Sequence, residues 1–222
     1  MRRDPSSFSG KVLGKVFRGP GLSLGVAMPD AVPFDPADYA VVLGPTAVPL
    51  RLGVEDAASP VLEAHLVPWE AVEEGGLIEA QASAIASVSW RLVRYSAVQD
   101  AGQDPIPFAD SVSGDLLETT RVLFDEDGQL RDFAGAAGSD LLYVESLSVE
   151  DGHDFFRVAV ELLEHVIEQY GSGCFGAAYY RDEMPRLELE RALRDRGFTR
   201  VEDEPLFFVS LELKRPPLPT PA

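Results

Sequence analysis

The apolar periodicity between Leu141 and Leu213 constrains this chain most, because it switches period in an order that few architectures satisfy. Residues 141–149 alternate, as a half-buried strand does. Phe156, Ala159, Val160, Leu163, Val166, Ile167 and Tyr170 then recur at three- and four-residue steps, with Arg157, Glu161, Glu164, His165 and Glu168 between them. That is the pattern of a long amphipathic helix. Gly171 follows it, where a left-handed C-cap is expected. Residues 174–180 read as a short apolar strand. Residues 186–196 read as a second helix, opened by Pro185 and closed by Gly197, and an apolar strand ends the run. The order β-loop-α-β-α-β predicts an α/β sheet with crossover helices. In such sheets the first strand-to-helix loop commonly seats an anionic cofactor.

The preceding residues predict a less regular frame. Residues 1–59 are rich in Gly and Pro and carry short β-type runs at 11–17, 22–28, 39–43 and 48–52, which reads as an N-terminal β arm or subdomain. A strand is expected over 61–69 and a helix over 77–95, starting after Gly75-Gly76. A polar loop with Pro105 and Pro107 should follow, then a hairpin of strands at 116–124 and 130–137 around the acidic turn 125–128. The main domain spans 60–213, and a proline-rich tail covers 214–222.

The formal charge of −18 excludes a basic surface for phosphate and so points away from nucleic acid, towards cationic partners. No apolar run approaches the ~20 residues of a membrane span, and the N-terminus lacks a secretory h-region; the reading is a cytoplasmic protein. Cys174 is the single cysteine, suited to small core filler, and His65, His153 and His165 are scattered, so no metal site is expected.

The segments Leu141-Leu142-Tyr143-Val144-Glu145-Ser146-Leu147-Ser148-Val149, Leu162-Leu163 and Leu193-Arg194-Asp195-Arg196-Gly197-Phe198 resemble the GNAT superfamily of acyl-CoA-dependent N-acyltransferases. The resemblance covers about 61–213. It implies a mixed, mostly antiparallel central sheet flanked by helices, with an acyl-CoA cofactor and transfer of the acyl group to a small-molecule or peptide amine. By the same resemblance, Leu147 and Val149 on the strand, with Gly152, His153, Phe156, Arg157, Val158 and Ala159 beyond it, would meet the coenzyme. Glu145 would be the general base, since apolar strand neighbours on the face of Tyr143, Leu147 and Val149 should raise its pKa. The other reading of Glu145 is a hydrogen-bonded strand-end carboxylate.

The chain departs from the family pattern in several places. Where the family has a glycine loop for the pyrophosphate, it has Glu150-Asp151-Gly152-His153-Asp154, and of the pattern's glycine or alanine positions only Ala159 fits. Asp154 is placed to cap the helix with its own carboxylate. Glu150, Asp151 and Asp154 would each repel a pyrophosphate by roughly 1–2 kcal/mol at about 7 Å and moderate effective dielectric. Leu193 stands where the family has a proton-donating tyrosine, which leaves Tyr179 or Tyr180 for that role, or as amphipathic core-edge residues. Arg186 replaces a common asparagine. Glu145-Ser146-Leu147-Ser148 is also similar to acyl-homoserine-lactone synthases, with Val149 in place of their arginine. Two main readings stay open: a weak or divergent N-acyltransferase, or a GNAT-fold binding or scaffolding protein that has lost coenzyme A. A homo-oligomer or protein contact through residues 1–59 belongs to the second.

Overall fold

The computed structural model describes residues 16–17, 34–44, 59–135, 138–180, 187–201 and 204–211. The β-runs expected at 22–28 and 48–52, the helix-opening Pro185 and Arg186, and the tail 214–222 lie outside the described residues. Among the described residues one sheet carries strands β1 (Val16–Phe17), β2 (Tyr39–Leu43), β3 (Val61–Pro68), β4 (Ala86–Val93), β5 (Asp140–Val149), β6 (Cys174–Tyr180), β7 (Thr199–Arg200) and β8 (Leu206–Ser210). Their spatial order is β1-β2-β3-β4-β5-β6-β8-β7. Only β5 and β6 run parallel; every other neighbouring pair is antiparallel. This is the mixed, mostly antiparallel α/β architecture expected.

Helices cover both faces. The long helix α5 (Phe155–Tyr170) and the later α6 (Leu187–Asp195) lie on one of them. Val158, Leu162, Leu163, Val166 and Ile167 of α5, with Leu189 and Leu193 of α6, pack there on Val88, Trp90, Leu142, Val144, Ala177 and Tyr179. Each such large apolar side chain contributes about 1.5–3 kcal/mol on burial, much of it offset by lost chain entropy. Arg196 and Glu164 form an ion pair that ties the end of α6 to α5.

The opposite face is covered by α1 (Trp69–Gln81), α2 (Tyr95–Asp100), α3 (Pro105–Val112) and α4 (Gly114–Leu123). Tyr95, Phe108, Leu116 and Leu123 from these helices meet Tyr143, Phe175, Ala178 and Phe208 of the sheet. Among the described residues no helix is long and apolar enough to cross a membrane.

Several expectations are corrected. The helix expected over 77–95 is the end of α1, a turn and β4; α1 begins at Trp69 and runs through Gly75-Gly76. The strand expected over 116–124 is helix α4. Ser113 caps it by accepting from the Leu116 amide at 3.1 Å, and the hydroxyls of Thr119 and Thr120 donate to the carbonyls of Asp115 and Leu116. Intrahelical back-bonding thus accommodates residues whose β-branching favours a strand. Of the expected hairpin only the Phe124–Leu130 bridge remains. A 3-10 turn at Asp132–Ala134 takes the place of its second strand. The proline loop is α3, with Asp104 as N-cap and Pro105 at the first turn.

Gly171 does end α5, but with φ −72°, not in the left-handed region. Its glycine is needed for space: a Cβ there would lie 2.6 Å from the Ile167 carbonyl oxygen and 2.7 Å from Leu211 Cδ1. Gly197, after α6, does take the left-handed form, φ +87°.

Candidate functional site

The candidate site forms where the middle of the sheet opens. Strand β5 pairs with β6 from Asp140↔Cys174 to Val144↔Tyr179 and no further, yet it continues to Val149 along β4. Glu145 to Val149 therefore lack a β6 neighbour. A β-bulge marks the start of this stretch. Ser89 pairs with Ser146 but Trp90 pairs with Val144, so Glu145 is the extra, unpaired residue.

The bulge changes the faces. Tyr143 packs in the core beneath α2–α4, whereas Leu147 and Val149 pack against the core beneath α5. The expected single apolar face of Tyr143, Glu145, Leu147 and Val149 is not formed. Instead Glu145 reaches two polar side chains of β4: Arg91 Nε donates to its Oε1, and Ser89 Oγ donates to its Oε2 at 3.1 Å. Arg91 also donates from Nη1 to the Ser59 carbonyl at 3.1 Å. With both oxygens engaged, Glu145 sits as a hydrogen-bonded ion-pair partner, not as a carboxylate among apolar groups. Arg91 and Ser89 were missed because β4 reads by composition as helix.

The two tyrosines part company. Tyr179 is 4% exposed in the core beneath α5, and Tyr180 packs on the other face. Glu145 and Tyr180 are brought together around Tyr143, whose phenol is pushed up by burial first and then by the charges of Asp115 and Glu145, with Arg91 opposing. Leu193 is fully buried core.

At the far end of β5 the chain turns into α5. The Glu150 amide donates to the Ile85 carbonyl at 2.8 Å, and Gly152 takes φ +91°, a left-handed geometry that glycine adopts without strain. Asp154 is the N-cap: its Oδ1 accepts from the Arg157 amide at 3.2 Å. Glu150 and Asp151 are exposed beside it. Comparison of the chain with protein-family models, with curated proteins and with solved structures finds no match.

Among the other residues expected to meet a coenzyme, Val158 and Ala159 are fully buried and reach no solvent. Phe156 packs partly buried on the core. Arg157 lays its guanidinium 5.6 Å from the centroid of the Phe34 ring. His153 Nδ1 is buried without a hydrogen-bond partner among the described residues. The helix start is thus occupied by the chain's own groups: a carboxylate on an amide, carboxylates outside it, and an arginine committed to an aromatic ring. A pyrophosphate fits these residues poorly, since one of the amides it would use is taken and the nearby charge is of its own sign. Cys174 lies in the core with its thiol pushed up to about 12 by burial and by Asp140. Among the described residues no three of His, Cys, Asp and Glu converge on a metal-sized site.

Proposed function

We propose that the chain is a GNAT-like module that binds and does not transfer acyl groups, its coenzyme site being closed by its own side chains. The observation that carries this reading is Asp154 accepting the Arg157 amide at the N-terminus of α5. A helix start is attractive to phosphate because its first amides lack partners. Here an internal anion already holds one of them. Glu145, the candidate base, is neutralised by Arg91, and Leu193 offers no proton to a thiolate. The net charge of −18 favours a cationic partner.

The experiment is a thermal melt with acetyl-CoA at about 1 mM, combined with amide exchange over 150–158. A ligand binding a hundredfold below that concentration would stabilise the fold by about 2.7 kcal/mol. The expected result is no shift and no added protection. A rise of several degrees with protection at Gly152 overturns the reading.

One observation favours the other reading, a divergent N-acyltransferase. The opening beyond Val144↔Tyr179 leaves an edge of β5 where an acyl thioester could lie against free backbone amides. Acyl transfer to small amines from acetyl-CoA, abolished by Glu145→Gln, would support that reading instead.

A further inference from the structure

On the face covered by α5, the segment leading into β2 leaves a hollow of about 30 Å³ above the helix. Its floor is apolar: Phe34, Val41 and Leu66 are each less than a tenth exposed. Its rim is polar and half-exposed, made by Tyr39, Glu161 and His165. Glu161 and His165 are one helical turn apart on α5, which brings both to the same opening. The Phe34 and Tyr39 rings stand 5.0 Å apart, tilted by 36°. Phe34 already attracts one cation, the Arg157 guanidinium, as the negative face of an aromatic ring does.

These features point to one ligand chemistry. A volume of this size admits about two water-sized groups. The floor wants a hydrocarbon group, and the rim offers a carboxylate, an imidazole and π-faces. Partial burial pushes the Glu161 carboxyl up and the His165 imidazole down. Arg157 and Arg196 oppose the rise at Glu161, and Glu168 adds to it. An anion would meet Glu161 and Glu168, whereas an ammonium group adds to the attraction that the two arginines already exert on the carboxylate.

We infer that this hollow binds a small alkylammonium group, its carbon against Phe34, Val41 and Leu66 and its charge at the rim beside Glu161. This deepens the reading of a binding module by giving the class of ligand. Its test leaves the helix N-terminus aside, so either can fail alone. Methylammonium and ethylammonium chloride are titrated into the full chain at constant ionic strength, and the aromatic carbon–proton signals of Phe34 and Tyr39 are followed. A third arm uses a blocked lysine amide, to separate a free amine from a lysine side chain of a partner. Saturable shifts with a millimolar Kd are expected. Glu161→Gln should weaken binding about tenfold, and Arg157→Gln, which removes a competing cation, should tighten it. Shifts with the lysine amide assign the site to a side chain; shifts with the simple amines alone assign it to a free amine. Absence of saturable shifts up to about 50 mM, or a Glu161→Gln protein that titrates as the parent does, overturns the inference.

Discussion

Asp154 holds an otherwise orphan amide of α5, so Asp154→Ala should lower stability in urea by about 1 kcal/mol. Asp154→Asn keeps an acceptor without the charge and should lose less. At the bulge, Glu145→Ala leaves Arg91 with the Ser59 carbonyl but without its carboxylate, in a site where both side chains are about a quarter exposed. A loss of about 1–3 kcal/mol is expected, read from the shift in urea midpoint at constant slope. The rim residues of the hollow give opposite pH slopes. Burial lowers the His165 pKa below its ordinary 6.5, so its contribution to stability is full above 6.5 and is lost as pH falls through the lower folded value. Burial raises that of Glu161 above 4.5, so its contribution is full below 4.5 and is lost as pH rises through the folded value. Melting temperatures of His165→Gln and Glu161→Gln, each subtracted from the parent's across pH 4 to 8, should therefore diverge in opposite directions.

Elements differ in how much of them the chain announces. Gly171→Ala tests the end of α5: with φ −72° alanine fits the backbone, so the cost, about 1–3 kcal/mol, is overpacking against Ile167 and Leu211 alone. Denaturant midpoints would measure it. Strand β6 and its Cys174 give a second test: the thiol should resist maleimide at pH 8 in the native state and react fast in urea. The segment from β5 to β6 was legible because its periods are long and clean, ending at Tyr170 and Tyr180. Strand β4 was not, although Ala86, Val88, Trp90 and Leu92 alternate with Ser87, Ser89 and Arg91 in period two. Alanine, leucine and tryptophan at mixed spacing hid it. Helix α4 was hidden differently, by Thr119, Thr120 and Val122, whose strand preference yields to the cap at Ser113 and to burial against Tyr95 and Phe124. At the site, Asp154 as N-cap could be read from spacing alone. The partners of Glu145 could not, because a bulge is a register event between strands and leaves no local mark.

For the molecule as a whole, a charge of −18 spread over 222 residues implies self-repulsion in the folded state. Raising sodium chloride from about 20 to about 300 mM shortens the screening length and should raise the melting temperature. A fall would mean that specific ion pairs such as Arg196–Glu164 outweigh the general repulsion. The packing beneath α5 also depends on one residue being left out of the ladder. Were Glu145 drawn into the ladder opposite Ser89, Ser146 to Val149 would slide by one place along β4 and that stretch would turn inside out. Ser146 and Ser148 would be driven into the oil beneath α5, while Leu147 and Val149 would face the other way. The two halves of β5 are out of step by one residue. A one-codon deletion of Glu145 would restore plain alternation with Trp90↔Val144 and Ser89↔Ser146 kept, so the sheet should survive it at the cost of the contacts to Arg91 and Ser89.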